Sequence, residues 1–376
     1  MATKRILYIV NSLGQGSGVM SFIMNLYRNI DREKVQIDFL VGTHKEQSYE
    51  KEILELGGKI YNLPVPKKIS FKNYIDFKNR INLFFKESNY KYDIIHSHVP
   101  IFNIFYFPIA KKYDVKHLIT HSHSIQSSSS FLGKIRNFFL LINSNKLANI
   151  YFACTEQAAI FLFGKNKVEN GKVNIVKNAI DSQKFKYSEE ERQRIRKELE
   201  IEGKFVIGHV GRFSKEKNHI FLIDIFYETL KLHDESILLL AGDGDLMPYI
   251  KDKVLELGIS EKVKFLGIRN DINKIMQAMD TFILPSTFEG LGIVVIEAQS
   301  TGLPCFVSTN VPEDVSITEL ITHLSLEKSP KYWAEKIVKK GNLNKERANY
   351  SEKIKNANYD ISDNAKWIEK FYLRLK

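Results

Sequence analysis

The sequence predicts an α/β protein built from two doubly wound parallel-sheet domains facing across a cleft. Three observations carry that reading. Short apolar runs of the kind buried in parallel sheets alternate with helical stretches, the alternation restarts near residue 204, and 376 residues at roughly 150 per domain divide naturally into two mid-sized domains.

The elements follow in order. RILYIVN (5–11) reads as a buried strand, SLGQGSG as a glycine loop and VMSFIMNLYRNI (19–30) as a helix. VQIDFLVG (35–42), DIIHSH (93–98), HLITHSH (117–123) and IYFACT (150–155) repeat the strand theme with helical stretches between them. The second series runs KFVIGHVGR (204–212), a helix over 219–233, SILLLAGDG (236–244), a helix to Leu257, VKFLG (263–267), a short helix to Met279, TFILPS (281–286), a helix from Gly292 and PCFVS (304–308). The polar stretch between Asp181 and Lys204 holds the boundary, so the expected domains are 1–185 and 186–358, with a C-terminal helix from about 359 to 376 packing back on the first.

Charge is unevenly divided. Residues 1–186 carry 27 Lys+Arg against 14 Asp+Glu, whereas the remainder carries 28 against 30. All of the positive excess therefore lies in the first domain. There the bases are interleaved with aromatic and aliphatic residues, as in KKISFKNYIDFKNRINLFFK (67–86) and FLGKIRNFFLLINSNK (131–146). At helical spacing these are amphipathic segments with basic faces, suited to an anionic membrane surface or simply to solvent. No recognised nucleic-acid module accompanies the charge, so nucleic acid is not expected as a partner. No run approaches the ~20 apolar residues of a bilayer span, the N-terminus lacks a signal-peptide pattern, and two cysteines, Cys154 and Cys305, make no disulfide framework. The expected location is cytoplasmic, either free or peripheral on the inner face of the plasma membrane.

Two such halves place a ligand beyond the carboxyl ends of both sheets. Gly14, Gly16 and Gly18 follow the first strand, where bare backbone N–H groups can approach a phosphate. The spacing is not that of a dinucleotide fingerprint, and no acidic residue ends the second strand, which argues against NAD. GRFSKEKNH (211–219) brings Arg212 and Lys217 to the ligand side of the second half, a guanidinium fork and a point charge suited to a diphosphate. PSTFEGLGIVVIEAQSTGLP (285–304) sets Glu289 before a glycine-bracketed turn and Glu297 inside the helix that follows, two acceptors for sugar hydroxyls. Asp243-Gly244-Asp245 reads as a turn with helix-start acids, so no metal is expected. His96 and His98 end a strand, either lining the acceptor side or serving as buried structural residues.

In these motifs the sequence resembles glycosyltransferase family 4, the retaining nucleotide-sugar enzymes of GT-B architecture with two Rossmann-like domains, and within it the bacterial capsular and exopolysaccharide members. VQIDFLVG, HSHS, ACTEQAAIFLFG, NAIDSQKF, GRFSKEKNH, LAGDGDL, VKFLGIRNDI and AMDTFILPSTFEGLGIVVIEAQSTGLP stand in the family's order. The first glycine loop departs modestly, reading GSGVM, so only Gly18 is carried over from it.

The resemblance implies an NDP-sugar donor, a UDP-sugar foremost, held mainly by the second domain. Arg212 and Lys217 would neutralise the diphosphate leaving group, and Gly290, Leu291 and Gly292 would offer amide donors. Glu297 would hold the ribose hydroxyls, Glu289 would face the sugar, and the base would lie against Ile268 and its neighbours. From the first domain Gly18 would approach the phosphates and His121 would hydrogen-bond the sugar near the reacting carbon, with His123 as the fallback. The acceptor would be a growing surface glycan, a lipid-linked capsular or exopolysaccharide repeat unit. No cofactor is implied, the NDP-sugar being a substrate. The competing readings are a nucleotide-sugar epimerase, a phosphorylase of the same architecture, and a membrane-bound scaffold with a degenerate site.

Overall fold

The computed structural model describes residues 3–15, 17–45, 48–66, 71–88, 90–123, 140–141, 144–341 and 347–375. The chain divides into two compact units, Met1–Ala179 with Ile361–Lys376, and Ile180–Asp360. The division falls at Ala179, six residues ahead of the expected boundary at 185, and the return at Ile361 follows the expected 358 closely.

The first unit is a seven-stranded parallel sheet in the order β3-β2-β1-β4-β5-β6-β7, with β1 Lys4–Ser12, β2 Val35–Thr43, β3 Ile60–Asn62, β4 Ile94–Ser97, β5 His117–Ser122, β6 Ile150–Ala153 and β7 Val173–Ile175. Period-2 alternation sorts its residues. Ile6, Tyr8 and Val10 of β1 face one core, while Leu7 and Ile9 face the other. The first core is covered by the helix Gly18–Asn29, capped by Ser17, and by the C-terminal helix Ile361–Arg374, which buries Ile361, Ala365, Ile368 and Tyr372 at three- and four-residue spacing. That helix is therefore part of the first unit although the sequence places it after the second.

The second unit is a six-stranded parallel sheet in the order β10-β9-β8-β11-β12-β13, with β8 Phe205–Val210, β9 Ser236–Ala241, β10 Val263–Gly267, β11 Thr281–Leu284, β12 Cys305–Ser308 and β13 Ile321–Leu324. In both sheets the order reverses beside the first strand, between β1 and β4 and between β8 and β11. Loops leaving the carboxyl ends at such a reversal diverge to opposite faces and open a crevice for a ligand. Strands β3, β7 and β13 were not expected from sequence. They are short edge strands, mostly only partly buried, and lack the continuous apolar run that marks an equally short central strand such as β11.

Candidate functional site

In the second unit the two loops at the sheet reversal are those after β8 and β11, which hold the residues singled out by sequence. Lys217 Nζ donates to Glu289 Oε1 at 2.6 Å, and Ser286 Oγ donates to the same oxygen at 2.7 Å. The pair is enclosed, with 20% of the Lys217 side chain and 9% of the Glu289 side chain exposed. Backbone and side-chain bonds lock one loop to the other: Thr287 N donates to Glu216 O at 2.8 Å and Asn218 Nδ2 to Pro285 O at 3.2 Å. Asn218 takes a left-handed conformation, φ 54°, which its short polar side chain tolerates.

Arg212 stands apart from that pair. Its guanidinium is 68% exposed and lies 3.7 Å from Asp245, itself almost fully in solvent, so it is free to swing toward an anion. Asp243 and Asp245 sit in the loop ahead of the helix Met247–Glu256, whose first turn holds no acid, which corrects the expectation of helix-start acids. Asp243 instead accepts from Gly244 N at 2.7 Å. Gly242 and Gly244, at φ 136° and 156°, let this loop lie against the backbone of Gly211 and Phe213.

The helix Ile293–Ser300 begins at Gly292, which is left-handed at φ 84°, and no side chain caps it. Its first amides are thus without side-chain acceptors, and Gly290 beside them is open on its Cβ side. Leu291 is buried, packing in the core under the loop rather than presenting its side chain outward. Glu297 lies within the helix with part of its surface open, yet burial pushes its carboxyl up to about 7, against a smaller downward pull from Lys184. Ile268 follows β10 and the left-handed Gly267, and is half exposed.

In the first unit Gly18 opens its helix, exposed, with open space where a Cβ would be. His121 is the more informative residue. Tyr8 pairs with His96 across β1 and β4, and alternation carries His98, His121 and His123 to that same face. The four imidazoles stack against one another, His121 on His123 at 4.1 Å and His96 on His98 at 4.6 Å between centroids. His121 is completely buried. Its Nδ1 lies 3.1 Å from His96 Nε2, and its Nε2 is buried without a partner. His123 Nε2 lies 2.8 Å from His98 Nδ1. Burial, reinforced for three of them by neighbouring imidazoles, holds all four rings below their ordinary pKa, His123 at about 3, so all are neutral near pH 7.

His96, His98 and His121 offer ring nitrogens within 4.8 Å of one another, the spacing a metal ion would need. Both nitrogens of His96 are engaged, however, one with His121 and one with Tyr372. A metal would have to break one of those bonds. Sequence reasoning named His96 and His98 without choosing between an acceptor-side and a structural place, and the structure buries them. It missed Ser286 and Tyr372; Tyr372 lies 276 residues from its partner, a separation no local pattern reveals.

Residues 16–184 match the family described as Glycosyltransferase Family 4, and residues 191–357 match Glycosyl transferases group 1. EpsF of Bacillus subtilis (strain 168) is 32% identical over 96% of this chain and 94% of its own. A UDP-Gal:alpha-D-GlcNAc-diphosphoundecaprenol alpha-1,3-galactosyltransferase of Escherichia coli is 29% identical over 62% of each chain. Anabaena HepE, crystallised with UDP and glucose, superposes with a TM-score of 0.77 at 18% identity over 98% of this chain and 99% of its own, which establishes a shared fold. Two parallel Rossmann-like sheets, family matches to both halves and a full-length relative of this identity together make the chain a member of glycosyltransferase family 4, a sugar-transferring enzyme of GT-B fold.

Proposed function

We propose that this glycosyltransferase moves a sugar from a UDP-sugar to a growing surface glycan carried on a lipid, with retention at the anomeric carbon. The enclosed Lys217–Glu289 pair, set at the reversal point of the second sheet, is the observation that supports it most directly. A diphosphate arriving there meets Lys217, the exposed Arg212 and the uncapped helix start at Gly290 to Gly292, which together absorb the charge that grows on the leaving group. Glu289 keeps Oε2 for a sugar hydroxyl, since Lys217 and Ser286 both address Oε1. Glu297 takes the ribose hydroxyls, Ile268 flanks the base, Gly18 admits the phosphates and His121 serves the sugar. The departing diphosphate accepts the acceptor's proton, so no enzymic base and no metal are required. The complexes named for HepE and the donor named for the Escherichia coli relative support a uridine nucleotide.

The acceptor's lipid is supported by the first unit's surface. On the helix Phe71–Glu87, Phe77 and Ile81 are buried while Ile75 and Leu83 are exposed beside exposed Lys78 and Lys86. Lys67, Lys68 and residues 131–139 of the second basic segment lie outside the described residues, as does the Lys72 side chain. Among the described residues no helix is long and apolar enough to cross a membrane. The named acceptor of the Escherichia coli relative is likewise a diphosphoundecaprenol.

A mass-spectrometric screen of NDP-sugars, each with and without an undecaprenyl-diphosphate sugar, tests the reading. Transfer from a UDP-sugar with an α-configured donor giving an α-linked product is the expected result. Interconversion of donor without acceptor would establish an epimerase, consumption of free phosphate a phosphorylase, and tight nucleotide binding without turnover a scaffold; each of these would refute it. Flotation with anionic liposomes tests the membrane component, where salt-sensitive binding should disappear when Lys67, Lys68, Lys72 and Lys78 become glutamate.

A further inference from the structure

A continuous hydrogen-bonded line runs through the first unit to His121. Tyr8 Oη and Tyr372 Oη are 2.6 Å apart, Tyr372 Oη and His96 Nδ1 are 2.5 Å apart, and His96 Nε2 and His121 Nδ1 are 3.1 Å apart. All four side chains are buried. We infer that Tyr372 and His96 are positioning residues, with Tyr8 closing the line behind them, and that they fix His121 as the tautomer carrying its proton on Nε2, so that this nitrogen acts only as a hydrogen-bond donor. The inference rests on the proposed role of His121 toward the donor sugar and gives that role a direction.

The polarity follows from the closed end of the line. Tyr8 has no hydrogen-bond partner but Tyr372 among the described residues, and no solvent reaches it. Its hydroxyl must therefore donate to Tyr372, because the reverse arrangement leaves a buried O–H with no acceptor. Tyr372, having accepted, donates to His96 Nδ1. Burial keeps His96 neutral, with a single ring proton, and that proton is then on Nε2, from where it is donated to His121 Nδ1. His121 is neutral for the same reason, and its one proton is left on Nε2. That atom is buried without a hydrogen-bond partner, as are His98 Nε2 and His123 Nδ1 in the same cluster, so the protein supplies no acceptor for its proton. The line begins in β1 and crosses to the C-terminal helix before returning to β4 and β5. The last turns of the chain thus govern a ring at the end of the fifth strand.

Long-range ¹H–¹⁵N correlation spectra of the full-length protein labelled with ¹⁵N-histidine test this, with His121 assigned by its loss in His121→Gln. Wild-type His121 should show a protonated Nε2 and an unprotonated Nδ1. Tyr8→Phe should leave that pattern, because Tyr372 still donates to His96. Tyr372→Phe should release both rings to mixtures of tautomers and lower kcat about tenfold while donor KM moves less than about twofold. A proton on Nδ1 of wild-type His121 overturns the proposal even if Tyr8→Phe and Tyr372→Phe unfold, and so does a Tyr372→Phe protein of unchanged melting temperature whose His121 pattern is that of wild type. Tautomers as stated, combined with full transfer activity in His121→Gln, would uphold the line and discard instead the role of His121 in sugar binding.

Discussion

Lys217 Nζ and Glu289 Oε1 form a 2.6 Å ion pair whose members come from loops 72 residues apart in the chain and which both lie largely out of solvent. Removing either charge leaves the other enclosed without compensation. Lys217→Ala should therefore do two things. It should lower kcat/KM for the donor about 10- to 150-fold, the equivalent of about 1.5–3 kcal/mol for a charge-assisted contact to the diphosphate. It should also lower the melting temperature, since Glu289 retains only Ser286 at Oε1. Steady-state kinetics with varied donor check the first effect and thermal unfolding the second; wild-type values in both would remove the pair from the site.

His121→Ala is expected to reduce turnover more than donor affinity. The ring is neutral and offers a single donor, too little to hold a nucleotide-sugar by itself but well suited to steady the sugar as its bond to phosphate breaks. Donor binding measured by calorimetry should stay within about threefold of wild type while single-turnover rates fall by about tenfold or more. A loss confined to binding would contradict this assignment and favour a ground-state role.

Glu297 has a folded pKa of about 7, raised by burial, against about 4.3 for an unperturbed glutamate. The folded protein thus holds this proton more tightly than the unfolded chain. The stability it contributes is full below about 4.3 and is lost as pH rises through about 7. Glu297→Gln, which cannot ionise, should match wild type in melting temperature at pH 4.5 and exceed it at pH 8. Donor affinity should run the other way, because ribose hydroxyls donate best to the ionised carboxylate: wild type should bind donor more tightly as pH rises through 7 and the glutamine variant should not. A melting difference that is flat from pH 4.5 to 8 would show the carboxyl to be solvated in the ordinary way.

Much of this was readable in the sequence because it is local. Strand runs such as Ile6–Val10 and Ile237–Ala241 are continuous and apolar, and a parallel sheet buried on both faces demands that pattern. Arg212, Lys217, Glu289 and Glu297 could be named because loops after strands are where α/β proteins keep ligands. The Lys217–Glu289 bond itself was hidden, since the sequence gives each residue a place but not the distance between two loops. His121 was placed at a strand end, where the structure also has it, but its burial under Phe22 and among three other histidines was not legible. Only the register of β4 against β5, and the return of the C-terminal helix, decide that.

Chelation should leave activity intact. Three histidine nitrogens lie near enough to one another for a metal, but His96 already spends one nitrogen on Tyr372 and the other on His121, which leaves only His98 and His121 with unpartnered nitrogens from that trio. Zinc sites in proteins use three or four ligands, so two fall short. Transfer activity after dialysis against EDTA should equal that of the untreated enzyme, and added zinc should restore nothing. Loss of activity on chelation, recovered with a stoichiometric metal, would place an ion in the histidine cluster and break the line from Tyr372.

Gly242→Ala tests how rigidly the loop that carries Arg212 and Lys217 is held. At φ 136° an added Cβ would lie 2.1 Å from the carbonyl oxygen of Gly211, the residue before Arg212, and that neighbour is backbone with no rotamer to yield. Gly242 N also donates to Gly267 O at 2.8 Å, so the segment is pinned from the other side. Strain of this kind costs about 3 kcal/mol, or a fall of about 6–12 °C in the melting of a unit this size. Gly290→Ala is the contrast, since nothing lies within 4 Å of its Cβ position and stability should be unchanged. If the loop relieves the clash by moving, Gly211 must move with it and carry Arg212 and Lys217 along, so donor affinity should fall in Gly242→Ala together with stability. Stability lost with donor affinity preserved would show that the cations are positioned by Glu289 and Asp245 alone, independently of the backbone beneath them.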